Sequence, residues 1–298
     1  MEHTVHTMDV AEYPLVPTEA DGRTITLPAA KFREALAVAN TTVCRTASRY
    51  AINGILLESD EKGARLVATD GRRLVTRDVE RIDGDFEGQA ILPRRLVSLV
   101  GKLISPKDTG NLMLFVKPVC TPDDHREPAH IHVAGPGWLI SCREIEGSFP
   151  KYRDVVPASH SKFIVDRKLL LETLKGVSAA TSSDDNVVRV ELRPGSITLS
   201  GHSAEVGQSS GTVPAEFAGG GDDHIITGFN PAYLTDALEN VAGDRVVIDV
   251  RQNTCPPNGR AVRAYPAMVY EADQVRTRWV VMPVNLGLEP SPETLGSH

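Results

Sequence analysis

The run Arg65-Leu-Val-Ala-Thr-Asp-Gly-Arg-Arg-Leu74 carries a complete β-hairpin signal. Leu66 and Ala68 fall on one face of an extended segment and Val67 and Thr69 on the other; Asp70-Gly71 supplies the turn and Leu74-Val75 sets off again. Arg72 and Arg73 stand straight after the turn, among apolar residues, where plain pairing needs only alternation. That placement sets the hairpin apart.

Working outward, Tyr50-Ala-Ile-Asn-Gly-Ile-Leu-Leu-Glu58 reads as its partner strand across a Glu61-Lys-Gly63 turn. Upstream, Ile25-Thr-Leu27 is a short strand, and Pro28 opens a helix on which Phe32, Leu36, Ala39 and Val43 recur near the helical period. Downstream, Ala90-Ile-Leu92 leads through Pro93 into an amphipathic helix from Arg94 to Ile104, apolar at 96, 97, 100, 103 and 104. Strands are expected at Asn111–Lys117, His130–Ala134 and Trp138–Arg143, the first two separated by a polar insert from Pro118 to Pro128. Ser148-Phe-Pro-Lys-Tyr-Arg-Asp-Val-Val-Pro157 closes the unit.

The same order then returns. Phe163-Ile-Val165 is a strand, Asp166 caps a helix with an apolar face at Leu169, Leu170, Thr173, Leu174 and Val177, and strands follow at Val187–Leu192, Ser196–Ser200 and Glu205–Val213. His224–Thr227 leads to Asn230 as cap and Pro231 as first residue of a fourth helix, before strands at Arg245–Arg251, Arg263–Glu271 and Thr277–Pro283. Aligning Ile25 with Phe163 and Ile91 with Ile225 gives offsets of 138 and 134 residues. Two copies of one β-α-βββ-α-βββ unit is the economical reading. It assigns domains to 21–157 and 160–286, a strand end and proline-broken linker to 1–20, and a tail to 287–298.

The bulk numbers fit. A chain of 298 residues, 41% hydrophobic and 24% charged, has room for about two globular domains. It has neither an 18-residue apolar run nor a signal-peptide pattern at its start, so a cytoplasmic location is expected. Cys44, Cys120, Cys142 and Cys255 show no CxxC spacing and read as reduced thiols. The net charge of −7 argues against a wholly cationic surface but leaves room for a local basic face, since phosphate feels the charge within a Debye length.

Six segments in order carry a resemblance: Arg49-Tyr50 with Ile52–Glu58, Ala68-Thr-Asp-Gly-Arg-Arg-Leu74, Ile91-Leu-Pro-Arg94, Glu146-Gly-Ser-Phe-Pro-Lys-Tyr-Arg153, Gly228-Phe-Asn230 and Val280-Val-Met-Pro-Val-Asn-Leu286. Together they resemble the bacterial DNA polymerase III beta subunit, the sliding clamp. The resemblance implies an α+β DNA-clamp fold: two repeated domains, each with two helices packed on antiparallel sheets, equivalent to the family's middle and C-terminal domains. The first domain is missing save for what resembles its last strand, at His3–Met8. That remnant favours a fragment of a longer gene product over a natural two-domain relative.

The function so implied is that of a processivity factor, non-catalytic and without cofactor, encircling duplex DNA and tethering partners through a hydrophobic cleft. The implied partners are double-stranded DNA, read without sequence preference, the DNA polymerase III catalytic subunit, the clamp loader and other clamp-binding-motif proteins. Position by position, the cleft falls on Ile52, Thr69, Gly71, Arg72, Arg73, Leu74, Pro150, Val155, Asn230, Tyr233, Val280, Met282, Pro283, Val284 and Leu286. Arg72, Asp154 and Asn285 depart from the family's usual residues, which points to altered partner preference. The DNA face is expected from Lys31, Arg33, Arg94, Arg95, Lys102, Arg167, Lys168 and Lys175 on three helices. Taken helix by helix, such cations are ordinary solvated residues; it is their recurrence in an acidic chain that suggests a track for phosphate. The fourth helix breaks the pattern with Asp236 and Glu239.

For a natural chain self-association into a ring is possible, as a head-to-tail trimer, whereas a fragment is expected to be monomeric or weakly associated. The alternative is a peptide-binding adaptor that does not encircle DNA. A zinc hydrolase built on Cys120, His125, His130, His132 and Cys142 has no standard spacing behind it, so no metal is expected. Leu74→Asp is expected to abolish peptide binding and spare the fold.

Overall fold

Alternation makes the first strand, β1 (Arg23–Pro28), a one-sided one: Ile25 and Leu27 are buried and their neighbours are not. The computed structural model describes residues 9, 22–46, 51–120, 126–181, 186–252, 265–273, 275–284 and 286, with the backbone alone at 118–120 and 126–128. Pro28 occupies the cap rather than the first turn of α1 (Ala29–Asn40), which buries Phe32, Ala35, Leu36 and Ala39. The first unit continues through β2 (Gly54–Asp60), β3 (Gly63–Thr69), β4 (Arg73–Val79), β5 (Asp83–Gly84), β6 (Gly88–Pro93), α2 (Arg94–Leu103), β7 (Asn111–Cys120), β8 (Arg126–Gly135) and β9 (Trp138–Arg143). After a 3-10 turn at Tyr152–Asp154 the second unit comprises β10 (Ser161–Asp166), α3 (Arg167–Ser178), β11 (Val188–Arg193), β12 (Gly195–Ser203), β13 (Gly207–Phe217), β14 (Ile225–Phe229), α4 (Pro231–Asn240), β15 (Arg245–Val250), β16 (Ala267–Glu271) and β17 (Thr277–Val281).

The pairing repeats along with the order. β1 pairs with β7 as β10 pairs with β15, and β2 pairs with β6 as β11 pairs with β14. The two-residue β5 on β1 corresponds to the end of β13 on β10. The strands form a five-stranded sheet, β5-β1-β7-β8-β9, and a twelve-stranded one, β14-β11-β12-β13-β10-β15-β16-β17-β4-β3-β2-β6. The larger sheet passes from one unit to the other where β17 lies antiparallel to β4, from Thr277 opposite Arg77 to Val281 opposite Arg73. One apolar core runs through both units, and a smaller one at the joint gathers Ala51, Leu56, Val67, Leu74, Ile91 and Tyr152 with Met268 and Val280. Arg77, buried at this joint, meets Glu271, Glu34 and the Thr277 hydroxyl. Its charge is matched where water is excluded.

Several boundaries differ from expectation. β7 and β8 extend into the region read as an insert, leaving only 121–125 between them, outside the described residues. Glu205 and Val206 belong to a turn, because the Ser203 hydroxyl accepts both their N–H groups at 3.2 and 3.4 Å. The His3–Met8 strand, Asn285 and the 287–298 tail also lie outside the described residues. Among the described residues no helix is long and apolar enough to cross a membrane.

Candidate functional site

The hairpin turn is built by Asp70, whose carboxylate accepts the N–H groups of Arg72 and Arg73 at 2.9 and 3.0 Å. Thr69 closes it by donating its hydroxyl to the Arg73 carbonyl at 2.7 Å, and Gly71 supplies a left-handed φ of +87°. The two arginines then part ways. Arg72 is exposed, while Arg73 pairs with Asp70 and Asp236, donates to the Thr41 carbonyl at 3.1 Å and lies 4.7 Å above the Tyr233 ring. Arg73 therefore binds the hairpin to α4. Asn230 caps that helix by accepting the Ala232 N–H at 2.9 Å.

The segment after β17 is stitched across the joint by two backbone bonds: Met282 donates to the Arg72 carbonyl at 3.0 Å and Val284 to the Gly228 carbonyl at 2.8 Å. Pro283 stands between them, where no N–H is missed. Leu286 packs so closely on Gly228 that a Cβ there would lie 2.6 Å from its Cδ2. Beside this strap opens a cavity of about 420 Å³, lined by Val155 and Met282 together with Tyr265, Pro266, Arg251 and His160. Val155 is 49% and Met282 40% exposed. Exposed apolar side chains from the segment that links the two units and from the strap after β17 thus share one hollow.

The remaining expected residues lie deeper. Leu74 and Val280 face each other in the register, 3% and 2% exposed, within the joint core; Ile52 and Thr69 are buried as well. Leu74 is thus floor and not wall, which corrects the expectation that Leu74→Asp would spare the fold. Pro150 accepts the Tyr152 N–H at 2.7 Å, and Tyr152 sends its hydroxyl to Glu58 at 2.5 Å. Burial, and then that carboxylate, push the phenol up to about 12. Tyr265, Pro266 and Arg251 escaped the sequence reading, as did the pairing of Asp236 with Arg73, although the stacking of Arg251 on Tyr265, at 4.6 Å, rims the hollow.

The eight basic residues divide. Arg33 donates to the Gly101 carbonyl at 3.2 Å, and Arg167 to the carbonyls of Leu238 and Gly243 at 2.9 and 2.7 Å. Both cations sit on the negative ends of the neighbouring helices, α2 and α4, and brace the helix pairs. Lys175 meets Glu239 at 2.6 Å, Lys168 meets Asp244 at 3.8 Å and Lys31 meets Glu34 at 3.8 Å. Arg94, Arg95 and Lys102 of α2 remain, all exposed. The acidic residues that set α4 apart are accounted for, since Asp236 holds Arg73 and Glu239 holds Lys175.

The pleat separates the histidine and cysteine candidates. His130 and His132 share one face of β8, with rings 6.3 Å apart, while Cys142 lies opposite Ile131, whose side chain takes the other face. His132 meets the Ser141 hydroxyl at 2.9 Å, and burial pushes the Cys142 thiol up to about 11. Among the described residues no group of three metal-ligating side chains forms.

The model of the central domain of the DNA polymerase III beta subunit matches residues 26–151, and that of its C-terminal domain matches residues 153–257. The chain belongs to the DNA polymerase III beta-subunit family. The border between these beta-subunit domains falls at the Tyr152–Asp154 turn. The chain is 26% identical over 251 residues to the Beta sliding clamp of Chlamydia pneumoniae, covering 84% of this chain and 64% of that protein. To the Beta sliding clamp of Pseudomonas aeruginosa it is 25% identical over 285 residues, covering 95% and 71%. The solved DNA polymerase sliding clamp of Bacillus subtilis superposes with a TM-score of 0.78 at 20% identity, over 93% of this chain and 68% of that one, and so shares the clamp fold.

Proposed function

We propose that this beta-subunit relative works as a sliding clamp: a non-catalytic tether that holds polymerase and other partners to duplex DNA. Partners would dock by short linear motifs whose Leu or Phe enters the hollow at the joint of the two units. The observation that carries this reading is the meeting of Val155 and Met282, exposed and apolar, on one cavity beside the Met282–Leu286 strap. Methionine adapts to more than one apolar ligand, which suits a site serving several partners. Asp154, which lines the hollow, and exposed Arg72, whose carbonyl holds the Met282 N–H, set which flanking charges a motif can carry. The domain division proposed alongside is 21–157 and 160–286.

Fluorescence polarisation with a labelled peptide bearing Leu and Phe in an acidic-polar frame tests the cleft. Val155→Asp with Met282→Asp should weaken binding at least tenfold while leaving the melting temperature unchanged. Equal affinity in the double variant would remove the hollow from consideration.

For DNA, Arg94, Arg95 and Lys102 form the candidate contact, since the other five cations have partners within the chain. Their replacement by Ala should reduce both affinity for a duplex and the slope of its salt dependence. That α2 alone, of the three helices expected to face DNA, keeps cations without a partner among the described residues also favours the second reading, an adaptor that does not encircle DNA. Retention on closed circular DNA, lost on linearisation, would exclude the adaptor.

A further inference from the structure

A second cavity, of about 720 Å³, is larger than the peptide hollow and lies at the far end of β4 from Arg72, where β2 turns into β3. Lys31 of α1 borders it on one side, Arg153 of the 3-10 turn on another and Arg276, just before β17, on a third. Its floor is made of small side chains. Gly88, Ser59, Ala64 and Val79 stand side by side across β6, β2, β3 and β4, leaving room that longer residues would fill. Ser59 is 6% exposed, and its hydroxyl has no hydrogen-bond partner among the described residues. A buried hydroxyl left unpartnered costs stability, and on the wall of a cavity a ligand can recover that loss.

The neighbouring row of side chains is polar and already fixed. Gln89 donates to Glu58 at 2.6 Å, Arg153 reaches the same carboxylate at 2.9 Å, and Arg65 grips Asp78 at 2.6 and 3.2 Å. Walls held this way lose little freedom when a ligand arrives. Among the described residues that line the cavity six are cations and four are carboxylates, an excess of two positive charges. A phosphate monoester carries about −1.5 to −2 at pH 7 and so matches that excess. Carboxylates only accept hydrogen bonds, so the remainder of the ligand must be rich in donors. Hydroxyl groups of a sugar meet that need.

We propose that this cavity binds a phosphate monoester on a polyhydroxylated carrier, the size of a sugar phosphate or a nucleoside monophosphate. Its volume lies in the range that small ligands occupy. Lys31, Lys62 and the Ser59 hydroxyl hold the phosphate, while Asp60 and Glu80 accept from the carrier's hydroxyls. Arg77, 4% exposed and held by Glu34 and Glu271, adds positive potential behind them. Because Arg276 belongs to the second unit and the other lining groups to the first and to the turn after it, an occupant touches both sides of the joint and should tighten it.

Isothermal titration calorimetry on the full chain tests this, with ribose 5-phosphate, adenosine monophosphate and inorganic phosphate as probes. At least one ester should bind one-to-one, more tightly than inorganic phosphate, and raise the melting temperature. Ser59→Ala removes an unpartnered buried hydroxyl, so the free protein should melt no lower than wild type, yet ester binding should weaken by about three- to tenfold. Lys62→Glu, in an exposed turn, should weaken it further without touching the fold. Labelled-peptide affinity, measured in parallel, should be the same in both variants. No saturable binding of either ester at millimolar concentration, inorganic phosphate bound as tightly as the esters, or esters bound equally by wild type and both variants would overturn the proposal.

Discussion

Arg73 joins three pieces of chain that lie far apart in sequence: its own hairpin through Asp70, the end of α1 through the Thr41 carbonyl, and α4 through Asp236 and Tyr233. A lysine can reach one of these partners but cannot fork to two carboxylates and stack at once. Arg73→Lys is therefore expected to cost about 1–3 kcal/mol, read as a lower urea midpoint at unchanged slope. Leu74, next in sequence, acts by volume instead. Buried against Val280 and Tyr152, it should cost about 2–5 kcal/mol on change to Ala, and Leu74→Asp should prevent folding, seen as loss of cooperative unfolding.

β11 shows how an element can carry a titration. Glu191 stands between Arg189 and Arg193 on one face of the strand and meets His224 from β14. The Arg193 contact chiefly, with His224 and Arg189, holds its carboxyl at about 2, below the ordinary 4.5. A carboxyl depressed in the folded state contributes stability that is complete above the ordinary value and drains away as pH falls toward 2. Melting temperatures taken through that window should fall less steeply in Glu191→Gln than in wild type. At this scale much was legible from sequence. The Asp70-Gly71 turn, the caps Asp166 and Asn230 and the repeated element order are local signals of spacing and turn chemistry. What escaped was non-local: Asp236 lies 163 residues from the arginine it holds, and Tyr265 lines a hollow together with Val155 and Met282, from distant parts of the chain. The basic residues were legible as cations but not as braces, because the carbonyls they reach belong to other helices.

The whole molecule is bound by a sheet that crosses from unit to unit and a core that runs beneath both. Pulling β17 away would expose Trp279, Val280 and Val281 and strand Arg77 with its carboxylates, so the units are expected to unfold together. Far-UV circular dichroism and the fluorescence of Trp138, in the first unit, and Trp279, at the joint, should give coincident urea transitions. Two separated transitions would show that the joint yields first. The β17–β4 pairing also bears on birth at the ribosome. Arg77 and Thr277 are 200 residues apart, so a nascent first unit emerges with the edge of β4 bare and waits through synthesis of nearly the whole second unit for the strand that covers it. Through that interval an uncovered edge is open to a neighbouring chain on the same message, and slow translation of the second unit should raise the yield of aggregate.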